Sequence, residues 1–199
     1  MQLEKYEGGK KYITVLADGK FHQVVPEGTE GAVKREIKDK QTGEVTSVKN
    51  ELIFDSVSGV ITKVSFEDSE FGKNLQIELD GEGVLSLGTA SNFGEDVMKK
   101  LPAVDFSESV KIVPFSFEDS GKTKKGVTIY QDEQKVDSYY WDKEAKASVN
   151  GIPEVEGDSS KFDSDDWKIH FMKVRKFLVA EVEKLPIFSA KAQSNLEKM

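Results

Sequence analysis

Aromatic and cationic side chains are interleaved with polar ones in several segments that are rich in strand-forming residues. Flat rings can stack on unpaired bases, and lysines can neutralise the phosphates beside those bases. Residue types of this kind on adjacent hairpins therefore predict a surface for single-stranded nucleic acid. The candidate residues are Lys63, Phe66, Phe71, Lys73, Phe117, Lys122, Lys124, Lys125, Tyr130 and Tyr139.

A structural interpretation of the same side chains stays open at this point. Aromatic residues on strands more often belong to a hydrophobic core than to a binding surface. Phe66 and Phe117 are open to either role, and the three lysines between 122 and 125 could form a solvated loop tip. The sequence leaves this choice to the tertiary structure.

The sequence gives little support for a nucleotide-phosphate loop, a metal site or a catalytic site. Ser120-Gly121-Lys122-Thr123 resembles the end of a phosphate-binding loop, but Ser116 stands where that motif needs its first glycine. Only two histidines, His22 and His170, are present, with no cysteine, so a zinc site is not expected. We predict no catalytic residues, no metal and no cofactor, and therefore a protein that is not an enzyme.

Composition is that of a folded, soluble domain. Among 199 residues, 37% are hydrophobic and 32% are charged. No apolar run approaches the roughly 20 residues that span a bilayer. The first residues lack the apolar segment of a secretory signal, and the absence of cysteine favours a reducing cytoplasm. The net charge of −8 argues against a protein that coats duplex DNA through phosphate contacts alone.

Turn and capping signals divide the chain into elements. Asp18-Gly19 predicts a hairpin turn with an exposed His22 beside it. A strand is predicted at 60–66, with its even-numbered side chains on one face. We predict one mainly β domain over 1–188, in four parts followed by a tail: N-terminal hairpins 11–55, a core 52–141 with a helix at 91–101, a loop 142–163, a C-terminal helix 164–185, and a flexible tail 189–199.

The element order of the core resembles that of an OB-fold, a five-stranded β-barrel. Three meandering strands, a helix and two further strands follow one another, and OB-folds bind ligands with strands two and three and with the loops joining strands one–two and four–five. Four segments are similar to bacteriophage single-stranded DNA-binding proteins: Ser58-Gly59-Val60-Ile61, Phe71-Gly72-Lys73-Asn74-Leu75-Gln76-Ile77, Ser91-Asn92-Phe93 and Leu101-Pro102.

The resemblance implies a protein that coats single-stranded DNA during phage replication and recombination in the bacterial cytoplasm, with replication or recombination proteins as partners. One departure from that family is the mixed charge of the last residues, where many members carry an acidic tail. The alternative is a β-barrel that serves as a structural or protein-interaction module, for instance in a phage particle. The sequence leaves open the oligomeric state and the choice between DNA and RNA.

Overall fold

The computed structural model describes residues 10–70 and 72–189. The chain is mainly β, with a large mixed sheet and a C-terminal helix. Its strands are β1 (Lys11–Val15), β2 (Phe21–Val25), β3 (Val33–Lys38), β4 (Val45–Phe54), β5 (Val57–Ser69), β6 (Gly72–Leu79), β7 (Gly83–Gly88), β8 (Ser109–Asp119), β9 (Lys122–Gln131), β10 (Gln134–Val136), β11 (Trp141–Asp142) and β12 (Ala147–Ser148). The α-helices are α1 (Asn92–Lys100) and α2 (Ser164–Val182).

Ten strands form one sheet in the order β10-β9-β8-β5-β6-β7-β1-β2-β4-β3. Neighbouring strands are antiparallel except β1 and β7, which are parallel. The hairpin of β3 and β4 lies at one edge of the sheet, because β3 is the last strand. No closed barrel is formed by the described residues, since β7 pairs with β1 and β9 pairs with β8 and β10. β11 and β12 make a separate small hairpin, which begins at Trp141, the last residue of the predicted core, and lies otherwise in the predicted loop 142–163.

The long strand β5 joins the two halves of the sheet. Its first residues, from Val57 to Val60, pair with β8, and the rest of the strand pairs with β6. An irregularity between Ile61 and Lys63 shifts the register, as a β-bulge does. The buried hydrophobic side chains of β5 are consequently Ile61 and Val64. The predicted single face of even positions is therefore wrong before the bulge, because the extra residue resets the alternation.

The β1–β2 turn forms where Asp18-Gly19 predicts it and lies against β8. Gly19 has a φ of +73°, and a Cβ there would lie 2.5 Å from the backbone nitrogen of Ser116. Only glycine fits both the left-handed conformation and this close approach. His22, predicted to be exposed, is instead 4% exposed, because β2 lies between β1 and β4 and carries its ring into a polar cluster.

Both helices begin at capping side chains. Ser91 accepts a hydrogen bond from the Gly94 amide, and Asp163 forms a capping box with Asp166. The buried side chains of α2 are Val174, Leu178 and Val182, whereas the side chains at its N-terminal end are more exposed. No helix in the described ranges is long and apolar enough to cross a bilayer.

The core lies between the sheet, the two helices and the segment that follows α2. That segment returns to β5: Val64 donates to the Ile187 carbonyl at 3.1 Å, and Ser189 donates to the Val64 carbonyl at 2.8 Å. Phe188 is thereby placed beside the middle of β5. Of the predicted tail 189–199, Ser189 is thus hydrogen-bonded, and residues 190–199 lie outside the described residues.

Candidate nucleic-acid interface

The antiparallel pair β8–β9 brings several candidate residues onto one face. The ladder runs without irregularity from Lys111 opposite Tyr130 to Asp119 opposite Lys122. Because side chains alternate along a strand, odd positions of β8 and even positions of β9 share a face. The opposite side contributes Val110, Ile112, Val127 and Ile129 to the core. We call the outward set the ribbon face: Lys111, Val113, Phe115, Phe117, Asp119, Lys122, Lys124, Thr128 and Tyr130.

Two phenylalanine rings lie at the centre of the ribbon face. The centroids of Phe115 and Phe117 are 5.7 Å apart, and Phe117 is 51% exposed. The Phe115 ring lies across the ladder over Gly126, where a Cβ would be 2.7 Å from its Cζ atom. Phe115 therefore supports its neighbour, and Phe117 offers a ring that an unpaired base can reach.

Lysines flank these rings. Lys124 lies directly opposite Phe117 and forms an ion pair with Asp119. Lys122 is exposed and makes no ion pair within the described ranges. A ring with an unpaired cation beside it can contact a base and its phosphate together. Asp119 reduces the positive potential at this end, so Lys122 is the more available cation.

The structure adds two lysines that sequence reasoning missed. Lys111 lies opposite Tyr130, and Tyr130 lies opposite Lys135 of β10, so the half-buried phenol stands between two exposed amines. This row borders a cleft of about 500 Å³, whose lining includes Asp132 and Glu133. The alternation of Lys111 with Phe115 and Phe117 is a signal that could have identified it. Lys135 depends on the short turn before β10, which the sequence pattern did not reveal.

Two other candidates lie away from the ribbon face. Lys125 is on the opposite side of β9, beside helices α1 and α2. Tyr139 follows β10; its amide donates to the Lys99 carbonyl at 2.9 Å and its ring contacts Tyr140. Burial, together with the charge of Glu181, raises the pKa of Tyr140 to about 12. Tyr139 thus contacts an aromatic group on one side, although the residue is 44% exposed.

The candidates around the β5–β6 turn are divided between two faces. Phe66 packs against Phe188 with ring centroids 5.8 Å apart, and the Lys73 amine lies 5.4 Å from the Phe66 centroid. Phe71 lies outside the described residues. Lys63 faces the other way and lines a small cavity of about 130 Å³ with Tyr12 of β1. Lys63 therefore lies on the opposite face of the β5–β6 pair from Phe66 and Lys73.

A buried polar cluster joins β2, β3 and β4 behind the β1–β2 turn. Arg35 donates two hydrogen bonds to Glu51, at 2.7 and 2.8 Å, and both ring nitrogens of His22 are 3.0 Å from carboxylates, those of Glu51 and Asp18. These bonds from Arg35 lower the pKa of Glu51 although burial opposes the shift, and Glu51 raises the pKa of Arg35.

This cluster anchors the hairpin whose turn lies against β8, and so it positions the strand that carries the two rings. Within residues 10–70 and 72–189, no group of three or more His, Asp or Glu side chains is arranged to hold a metal ion. No protein-family model, curated protein or solved structure matches the chain.

Proposed function

We propose that the protein binds single-stranded DNA with little sequence preference, through the ribbon face. The observation that carries the proposal is the shared face of an exposed ring, Phe117, with Tyr130 and the lysines of β8, β9 and β10. Stacking tolerates any base, because every base has a π-face. Lysines bind phosphates as point charges and read no sequence.

The dimensions of the ribbon face suit an extended strand. Phe117 and Tyr130 are six ladder positions apart, which corresponds to about 20 Å at the usual rise per residue. That length accommodates several nucleotides, in line with sites of roughly 4–16 nucleotides per OB domain. Lysines 111, 122 and 135 supply local positive charge on a chain whose net charge is −8, whereas Lys124 is paired with Asp119.

The order of elements supports an OB-related architecture as part of this proposal. The meander β5–β6–β7, helix α1 and hairpin β8–β9 follow one another as in that fold, and β5 pairs with both β6 and β8. In place of a β7–β9 pair, α1 contacts both strands. The β8–β9 hairpin then corresponds to the loop joining strands four and five, which OB domains use for binding.

The biological setting we propose is phage DNA replication or recombination, in the cytoplasm of the infected bacterium. There the protein would cover exposed strands and meet replication or recombination proteins. The similarity of four short sequence segments to phage single-stranded DNA-binding proteins supports this setting. It is tested by expressing the tagged chain in infected cells and asking whether it crosslinks to single-stranded phage DNA.

Binding is measured by fluorescence anisotropy of a dye-labelled poly-dT strand at low and moderate salt. We expect saturable binding that weakens with salt, because lysine contacts release counterions. Phe117→Ala should weaken binding by about 5- to 150-fold, the value of one stacked base. Lys122→Gln should weaken it less and reduce its salt dependence.

Matched controls lie outside the ribbon face. Trp141→Ala removes another exposed ring and Lys143→Gln another exposed amine, and both should bind like the unmodified protein. The proposal fails if poly-dT does not bind at either salt concentration, or if Phe117→Ala and Trp141→Ala have equal effects.

A second candidate function is a protein-interaction module, favoured by apolar side chains left in solvent. Ile169 and Met172 on α2 are exposed, as are Val45 and Val48 on the N-terminal hairpin. Exposed apolar groups of this kind can mark a partner surface. Passage over single-stranded-DNA resin separates the two functions: the DNA-binding protein stays until salt elutes it, whereas the interaction module flows through.

A further inference from the structure

We propose that a cleft between α1, β9 and α2 binds a phosphate group attached to a planar ring, the chemistry of a nucleotide. The cleft has a volume of about 480 Å³ and is lined by Asn92 and Asp96 of α1, Lys125 of β9, and Phe171 and Arg175 of α2. Small-molecule sites typically enclose roughly 300–1,000 Å³. The cleft is therefore large enough for one nucleotide.

Two cations in the cleft lack partners. Lys125 and Arg175 form no ion pair with any residue in the described part of the chain. The Nε atom of Arg175 is buried and has no hydrogen-bond acceptor there. A buried charged donor without an acceptor is unfavourable, because it has lost its hydration without compensation. The Arg175 side chain lines the cleft, and its planar guanidinium matches the geometry of a phosphate oxyanion.

The carboxylates of the cleft are already neutralised. Glu95 pairs with Lys99 at 2.6 Å, and Asp96 pairs with Lys100 at 2.7 Å. Asp96 also accepts a hydrogen bond from the Val127 amide at 2.7 Å, which holds it against β9. With these pairs made, Lys125 and Arg175 leave the cleft with two uncompensated positive charges. An anionic ligand is therefore favoured over a cationic one.

An exposed ring lies beside the two cations. Phe171 is 45% exposed and stacks on Trp167, with centroids 5.7 Å apart and planes 25° apart. The stack orients the Phe171 ring, so that little freedom is lost when another flat group packs on it. Inorganic phosphate would contact only the two cations. A phosphate that carries a planar ring would contact the cations and also stack on Phe171.

The two cations of this site lie on the other side of β9 from the ribbon face, although Gly126 borders both Asp96 and Phe115, and the site does not depend on the function proposed above. Lys125 and Lys124 are consecutive on β9 and point to opposite sides of the sheet. The ligand could be a free mononucleotide or one nucleotide of a strand, which present the same chemistry. The experiment below distinguishes the two sources by comparing a mononucleotide with a short strand as the ligand.

The test is a titration of the ¹⁵N-labelled full chain, followed by amide chemical shifts. Thymidine monophosphate should shift the amides of Lys125, Phe171 and Arg175 and saturate, whereas thymidine and inorganic phosphate should bind more weakly. If an unphosphorylated dT tetramer also shifts these amides, the source is a strand; if only the mononucleotide does, the source is a free nucleotide.

Variants then assign the contacts. Arg175→Gln and Lys125→Gln should each raise the Kd for thymidine monophosphate by about tenfold or more. Phe171→Ala should weaken thymidine monophosphate but leave inorganic phosphate unchanged. Lys176→Gln is the control, since it removes a neighbouring charge on α2 that does not line the cleft. An unaltered spectrum in the other amides shows that each variant is folded.

Three results would overturn the proposal. The first is an absence of saturable shifts in the cleft with both thymidine monophosphate and the tetramer. The second is thymidine binding as tightly as its monophosphate, which would remove the role of the cations. The third is unchanged affinity in both Arg175→Gln and Lys125→Gln.

Discussion

Replacing Glu51 with glutamine should destabilise the fold, because this carboxylate holds together the buried cluster behind the β1–β2 turn. Glu51 is 1% exposed and accepts two hydrogen bonds from Arg35, and its Oε2 atom lies 3.0 Å from His22. Glutamine has nearly the same shape but no charge. It also presents an amide donor to two groups that themselves donate.

The expected loss of stability follows from the burial of the Glu51–Arg35 ion pair. Removing one member of a buried ion pair typically costs about 3–5 kcal/mol, since the remaining charge is left without compensation. Here the Arg35 side chain is 36% exposed, so water partly compensates the guanidinium. We therefore expect a loss of about 2–3 kcal/mol in the free energy of unfolding of Glu51→Gln at pH 7.

The pH dependence gives an independent check. Hydrogen bonds from Arg35 lower the pKa of Glu51 in the folded protein from its ordinary value of 4.5. A lowered folded-state pKa means that the stabilisation is complete above the unfolded pKa and is lost as the pH falls through the folded one. The stability difference between the unmodified protein and Glu51→Gln should therefore shrink as the pH falls below about 4.5.

Urea unfolding followed by tryptophan fluorescence, repeated between pH 7 and pH 3, measures both effects. Glu36→Gln is the matched control, because Glu36 is an exposed carboxylate on the same strand as Arg35. Its carboxylate oxygen lies 3.5 Å from the Lys38 amine. We expect a change below about 0.5 kcal/mol for this control, as for most surface pairs. Equal stabilities of Glu51→Gln and the unmodified protein at pH 7 would refute the reasoning.

Three further predictions concern packing and capping. Gly126→Ala should lower stability by about 1–3 kcal/mol, because the new Cβ would lie 2.6 Å from the Asp96 carboxylate and 2.7 Å from the Phe115 ring. Displacement of Phe115, the ring that supports Phe117, should also weaken poly-dT binding. Urea unfolding and anisotropy measure the two effects, and unchanged values in both would contradict the packing described. Leu178→Ala should cost about 2–5 kcal/mol, since this fully buried side chain joins α2 to the core; a loss below 1 kcal/mol in calorimetry would show that α2 packs loosely. Ser91→Ala should cost about 1 kcal/mol by removing both the acceptor for the Gly94 amide and the donor to the Gly88 carbonyl, and Ser91→Thr, which keeps the hydroxyl, should restore most of the loss.

Local signals predicted the elements well. Asp18-Gly19 forms the turn that its residue types predict, and α1 begins at Ser91 and ends near Pro102, as capping and helix-breaking residues indicate. In β6, Leu75, Ile77 and Leu79 alternate with polar residues and lie in the core, although Gln76 on the other face is also buried. Such signals depend on neighbours within a few residues, which the sequence displays directly.

The side of the sheet on which each side chain lies was predicted less well than the positions of the strands and helices. The register shift between Ile61 and Lys63 reverses the alternation of buried and exposed side chains within β5. No residue type in that strand predicts the shift. Phe66 looked equally suited to a core or to a binding surface. Its place was decided by Phe188, which lies more than a hundred positions later and packs against its ring.

The sequence alone therefore determined which residue types are available and which short segments are strands, turns and helices. Only the tertiary structure decided which candidates meet: Phe117, Lys122, Lys124 and Tyr130 on the ribbon face, Lys125 on the opposite side, and His22 with Glu51 across 29 positions. The physical reason is that a strand offers two faces of equal local merit. The face that becomes buried is the one whose packing against segments distant in the sequence lowers the free energy of folding. A local sequence pattern does not identify those segments.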